Sequence, residues 1–153
     1  MSRLIILDAG PLGLVTQRRG VAKAEACRTW LAECLRHGAQ VIVPAIAYYE
    51  VRRELERIPN SRGLERLEAF CQATPERYVP LSDTALRRGC RLWAQARNAG
   101  RPTADPSALD CDVLLAAQAL TYEGTTEERI IATTNVGHLP QFMAAAHWRD
   151  IVP

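Results

Sequence analysis

The apolar run Arg3-Leu4-Ile5-Ile6-Leu7 ends on Asp8 and turns at once into Ala9-Gly10-Pro11-Leu12. A short unbroken apolar segment before a helix-opening turn suits a strand covered on both faces, and such strands belong to parallel sheets flanked by helices. The alternation recurs along the chain. Short strands are expected at residues 4–7, 40–43, 78–81, 130–133 and 148–151, with helices between them at 22–36, 45–57, 64–72, 83–98 and 110–123. Gly38 closes the first of these helices, Asp83 is the expected N-cap of the fourth, and Pro11 suits a first helical position. Two prolines and a glycine forbid a helix across residues 99–106. The expected architecture is an α/β three-layer α/β/α sandwich around a central, mainly parallel sheet of four or five strands.

Residues 1–153 are expected to form one domain, large enough to bury about 68–70% of the surface of the unfolded chain. A hydrophobic content of 48% and a charged content of 24% argue against disorder. The net charge of +2 is too small for a protein that coats nucleic acid, so any polyanion contact must be local. Lys23 is the only lysine and the other cations are arginines, whose planar fork suits phosphate. Cys27, Cys34, Cys71, Cys90 and Cys111 include no CxxC pair, which argues against structural zinc. Each falls in an apolar helical pattern and is expected to be a buried free thiol. No run of eighteen apolar residues occurs. A reducing cytoplasm, away from any membrane, is the expected location.

Acidic residues recur where open α/β sheets bind ligands, near the carboxyl ends of strands. Asp8 follows the first strand, Glu50 lies in the helix after the second, and Asp110 and Asp112 open the helix before the fourth. Each has a plainer role available. Asp8 suits a helix cap, Glu50 can pair with Arg53 one turn on, and Ser107-Ala108-Leu109-Asp110 has the form of a capping box. Asp112 has no such partner, and its helical face carries Leu115, Ala116 and Ala119. Asp110 and Asp112 lie about 200° apart on an ideal helix, so they cannot both point inward. Asp112 is therefore the expected ligand, with Asp110 a cap or outer ligand.

Carboxylates gathered into one pocket repel by about 4 kcal/mol per close pair, and a divalent cation is the simplest remedy. Asp8, Glu50 and Asp112 are accordingly expected to hold a divalent cation and to be the catalytic residues of a metal-dependent phosphodiester hydrolase. The segment after the fourth strand, Thr133-Thr134-Asn135-Val136-Gly137-His138, offers Thr134, Asn135 and His138 as accessory groups that position water or phosphate. Arg52 and Arg53 are candidate contacts to the phosphate backbone of the substrate. Trp30, Leu31, Tyr48 and Tyr49 suggest a homodimer face, although all four would also suit a core.

Leu7-Asp8-Ala9-Gly10-Pro11-Leu12, Tyr49-Glu50-Val51-Arg52-Arg53-Glu54-Leu55, the segment from Asp110 to Ala119 and Ile131-Ala132-Thr133-Thr134-Asn135 together resemble a PIN domain of the VapC-like toxin type. The resemblance implies a magnesium- or manganese-dependent endoribonuclease, usually dimeric and often restrained by a cognate antitoxin protein. By position it implies that Asp8, Glu50 and Asp112 are the first acidic ligands. Many relatives carry a further aspartate after the fourth strand, where this chain has Asn135 and His138. That departure leaves a second metal ion open. It also motivates the alternative of a catalytically weakened PIN-like module that binds RNA or protein. A phosphohydrolase with Asp8 as covalent nucleophile would want an acid two residues on, where Gly10 stands.

Overall fold

The computed structural model describes residues 2–106, 109–124 and 128–153. Its elements follow the order β1 (Arg3–Leu7), α1 (Ala9–Val15), α2 (Ala22–Arg36), β2 (Gln40–Pro44), α3 (Ala45–Glu56), α4 (Gly63–Gln72), β3 (Tyr78–Val79), α5 (Asp83–Asn98), α6 (Cys111–Thr121), β4 (Glu128–Thr133) and β5 (Ala145–His147), with 3₁₀ turns at Leu139–Gln141 and Trp148–Asp150. The strands form one sheet in the order β3-β2-β1-β4-β5, and every pairing is parallel. The fold is thus a three-layer α/β/α sandwich on a five-stranded parallel sheet.

β1 is the central strand because it is the most completely apolar. Leu4, Ile5, Ile6 and Leu7 are all 0% exposed. Their neighbours Ile42, Val43, Ile131 and Ala132 on β2 and β4 are equally buried. The chain leaves β1 toward β2 on one side and returns to β4 on the other, so the strand order reverses between β1 and β4. In open parallel sheets, the crevice above the carboxyl ends at such a reversal is where ligands bind. The register pairs Leu7 with Ala132, so Asp8 and Thr133 emerge side by side at that point. The Asp8 backbone N–H continues the ladder to the Ala132 carbonyl at 3.0 Å.

Several local expectations change. Residues 148–151 are not a strand; β5 ends at His147, and the Trp148–Asp150 turn follows it. The ring of Trp148 is needed in the core, 2% exposed and 5.7 Å from the Trp30 ring, and a turn delivers it there. β3 is only Tyr78–Val79, because Pro80 cannot donate to a ladder. The cap of α5 is Ser82, whose Oγ accepts from Ala85 N at 3.1 Å, and Asp83 is the first helical residue. Pro11 occupies the third position of α1, where it is tolerated because the first four helical N–H groups have no intrahelical partner. Cys27, Cys34 and Cys71 are buried as expected, but Cys90 is exposed and Cys111 half-buried. Trp30 and Leu31 belong to the core rather than to a dimer face, being 7% and 4% exposed.

Gln118 on α6 ties the layers together. It is 1% exposed; its Oε1 accepts from Ile46 N at 3.1 Å and its Nε2 donates to the Val79 carbonyl at 3.0 Å. The first N–H groups of α3 need such an acceptor, because its N-cap is Pro44 and supplies no side-chain bond. Gln118 thereby fixes the start of α3, the helix that carries Glu50.

Candidate active site

Asp8 is the N-cap of α1. Its Oδ1 accepts from Ala9 N at 2.7 Å, and its Oδ2 accepts from Thr133 Oγ1 at 2.7 Å. Thr133 is 1% exposed at the end of β4, and its hydroxyl also receives Asn135 N at 3.0 Å. Capping and site formation are therefore not competing roles. The same two bonds that close α1 fix the carboxylate at the crevice, and each oxygen keeps a lone pair for another partner.

Close approach of α1 to β4 requires glycine at position 10. A Cβ there would fall on the Thr134 side chain, 2.7 Å from its Cγ2 and 2.9 Å from its Cβ. The Cβ contact cannot be relieved by rotating the threonine, so backbone must move. Gly10→Ala is expected to destabilise by about 1–3 kcal/mol, the usual cost of overpacking. Thermal denaturation checks this; Thr134→Gly in the same chain should restore much of the loss, and independent, additive effects would count against the contact.

Asp112 and Glu50 approach Asp8 from two other elements. Asp112 lies in the first turn of α6, whose inner face packs Leu115, Ala116 and Ala119 at 0–1% exposure. Burial pushes its carboxyl above the ordinary value, and the charges of Asp8 and Asp110 push the same way, against the opposing pull of His138. Glu50 is raised for the same leading reason, burial, with the charges of Asp8 and Asp112 adding to it and Arg53 opposing. Three acids from β1, α3 and α6 thus sit within one another's fields at the sheet's reversal point. The Cys111 thiol lies against Glu50; burial and that carboxylate hold it protonated, with a pKa pushed up to about 11.

Asp110 has a different duty. It is 8% exposed, precedes α6 as its N-cap, and accepts from Val113 N at 3.1 Å and from the Thr103 hydroxyl. Standing outside the helix resolves the 200° conflict with Asp112, and Asp110 pins the loop at Thr103 to the head of α6. The Ser107 half of the anticipated capping box lies outside the described residues, and the observed cap makes Asp110 the capping residue itself rather than the third helical position.

Thr134, Asn135 and His138 are all exposed around the rim. His138 reaches the cluster through its charge on Asp112, and Asn135 through its backbone bond to Thr133. Thr133, absent from the sequence-based set, is the closest support of Asp8. Its only sequence signal is the inward alternation that ends β4. Arg52 is committed elsewhere, to Glu56 at 3.0 Å, to Glu68 at 3.0 Å and to the Tyr48 hydroxyl at 2.5 Å. Arg53 instead faces a groove of about 490 Å³ lined by Gly10, Gly13, Glu50, Arg53, Glu54 and Arg66, which Glu50 alone of the three acids borders.

Among the described residues, no three His, Cys, Asp or Glu side chains close into a ready-made ion cage. The donor set nevertheless suits a hard cation. Two half-buried carboxylates raised by burial and by a third acid form a site whose charge a divalent ion relieves. Magnesium keeps several waters and needs direct bonds to only one or two carboxylates.

The same arrangement of strands and helices occurs in known proteins. A structure of FitAcB from Neisseria gonorrhoeae aligns with a TM-score of 0.67 at 16% identity, covering 96% of this chain and 99% of that one. VapBC2 from Rickettsia felis, bound to a DNA fragment from its promoter, aligns at 0.68 and 12% identity, covering 95% and 98%. The chain has the fold of these structures. VapBC-1 from nontypeable Haemophilus influenzae adds a third likeness at 0.65 and 15% identity, covering 96% and 99%. No protein-family model matches the sequence, and no curated protein matches it. At these identities the likeness establishes the shared fold alone.

Proposed function

We propose that this protein is a divalent-metal-dependent endoribonuclease and the toxin member of a toxin–antitoxin pair. The observation that carries the reading is the convergence of Asp8, Glu50 and Asp112, from β1, α3 and α6, on the crevice where the strand order reverses. The four sequence blocks that resemble VapC-like toxins support it, as does the fold shared with the VapBC and FitAcB structures. An antitoxin partner and a homodimer belong to the same reading.

Asp8, Glu50 and Asp112 would hold Mg²⁺ or Mn²⁺, partly through water. When bound there, such an ion would supply Lewis-acid chemistry, acidifying a water for attack on phosphorus and offsetting charge on the leaving oxygen. Thr133 and Ala9 N–H fix the Asp8 oxygens, so the carboxylate meets its ligand without reorganising. α3 and α6 hold Glu50 and Asp112 in surroundings where bulk water is partly excluded, which strengthens their attraction to a cation. Arg53 stands on the groove side, placed to meet the phosphate backbone of a single strand. No side-chain nucleophile is needed.

The test is incubation of the purified chain with single-stranded RNA under a titration of Mg²⁺ and Mn²⁺, with a chelator control. Cleavage should require metal. Metal at about 100 times its dissociation constant should stabilise the protein by about 2.7 kcal/mol, raising Tm by roughly 5–10 °C. A protein that binds RNA but cuts it at no metal concentration is a binding module instead, and a chain that neither cuts RNA nor responds to metal refutes the proposal.

A further inference from the structure

The helix that carries Glu50 contains two tyrosine–arginine pairs at i, i+4, and the fold treats them differently. Tyr48 is half-buried, bonded to Glu68, and packed edge-on against Tyr78 at 5.3 Å between ring centroids. Its arginine, Arg52, is held by Glu56 and Glu68. That pair clasps α3 to α4. The second pair, Tyr49 and Arg53, lies one residue round the helix toward Glu50. Tyr49 is 46% exposed, the Arg53 guanidinium sits 5.2 Å from its ring centroid, and no ion pair among the described residues takes up Arg53. Helical spacing puts Arg53 between Tyr49 and Glu50 on the surface, since the three positions span about 100° of arc. Arg53 also lines the groove that Glu50 borders.

An exposed aromatic ring, a guanidinium that rests on that ring outside any ion pair among the described residues, and a carboxylate cluster suited to a cation therefore lie in a row. Negative phosphate is the group that both the guanidinium and a bound cation attract, and a planar base is what an exposed ring at that spacing accommodates. Resting on the ribonuclease reading, we propose that Tyr49 and Arg53 form the nucleotide shelf of the site: the base next to the scissile bond stacks on Tyr49, and Arg53 contacts the adjoining phosphate. The single-stranded substrate thus runs from the acids onto α3. Base stacking is tolerant of sequence, so the shelf sets strand affinity and register more than base identity.

The experiment is steady-state cleavage of a fluorescent single-stranded oligoribonucleotide by the native chain and by Tyr49→Ala, Tyr49→Trp and Arg53→Gln, with Tm and light scattering on each. Tyr49→Ala is expected to raise KM by about 5- to 150-fold, the range of a lost base–aromatic stack, with kcat little changed. Tyr49→Trp should hold KM or lower it. Arg53→Gln should raise KM and flatten the dependence of log affinity on log salt by about 0.7, the share of one phosphate contact on a single strand. Native KM in Tyr49→Ala, with the native chain cutting normally, overturns the shelf and leaves the ribonuclease reading standing. A KM change that appears only as Tyr49→Ala turns a dimer into a monomer also overturns it, by assigning Tyr49 to an interface. Failure of the native chain to bind or cut RNA removes the ribonuclease reading and the shelf together.

Discussion

Asp8→Asn and Asp112→Asn should each lower metal-dependent RNA cleavage by about 10²-fold or more, and Asp112→Asn should at the same time make the metal-free protein more stable. The activity loss follows from the loss of a charged ligand; even groups that only orient a ligand cost 10- to 100-fold when removed. Thr133→Val, which takes the hydroxyl from Asp8 Oδ2, should fall in that smaller range. Asparagine is the right replacement at position 8 because it caps a helix as well as aspartate does, so α1 should persist. The stability gain follows from the sign of the Asp112 shift. A carboxyl raised in the folded state favours folding only when protonated, so it destabilises the protein at neutral pH and ceases to do so as pH falls toward its ordinary value of 3.8. Removing the charge should therefore raise the neutral-pH Tm in chelator. The advantage should shrink on acidification and reverse in saturating Mn²⁺, where only the native acid cluster gains from the ion. Melting curves at pH 7 and pH 4, with and without metal, check all three signs. A variant less stable than the native chain in chelator at pH 7 would show that Asp112 is a structural partner rather than a ligand in waiting.

Gln118→Leu is expected to produce the largest loss of stability of any single polar change in the core, about 2–4 kcal/mol, or roughly 5–15 °C in Tm. Leucine fills the space but leaves the Ile46 N–H and the Val79 carbonyl without partners. Each orphaned buried group costs about 1–3 kcal/mol. Activity should fall further than the folded fraction explains, because the freed head of α3 no longer fixes Glu50, and misplacement by about 1 Å can cost 10²-fold. Urea denaturation gives the stability, and cleavage measured well below the midpoint gives the activity. A midpoint unchanged from the native protein would mean that water or a shifted backbone satisfies both groups.

Much of this was written in the sequence through period and punctuation. The unbroken apolar run of β1, the helical spacing of Ala26, Trp30, Leu31 and Leu35 along α2, and the glycine that ends that helix are local signals. Such signals identify strands and helices wherever the chain is read. Asp8 and Asp112 were legible for a similar reason, since they fall at a strand end and in the first turn of a helix, whereas Glu50 lies in the middle of α3 and was legible only through its closeness in the chain to the second strand. The errors were also local. Whether residues 148–151 extend or turn depends on where the Trp148 ring must go, and that is decided by Trp30, more than a hundred residues away.

By itself, the sequence determined the class of fold and placed Asp8 and Asp112 near element ends and Glu50 in the helix after the second strand, because hydrophobic spacing and turn residues act over a few positions. Only the tertiary structure decided what those residues do. It assigned Asp110 to a cap and Asp112 to the cluster, set Thr133 behind Asp8, spent Arg52 on Glu56 and Glu68, and left Arg53 facing the groove. The physical reason is that a charge's role depends on its partners in space. Those partners come from strands and helices that are remote in the chain and neighbours only in the sheet.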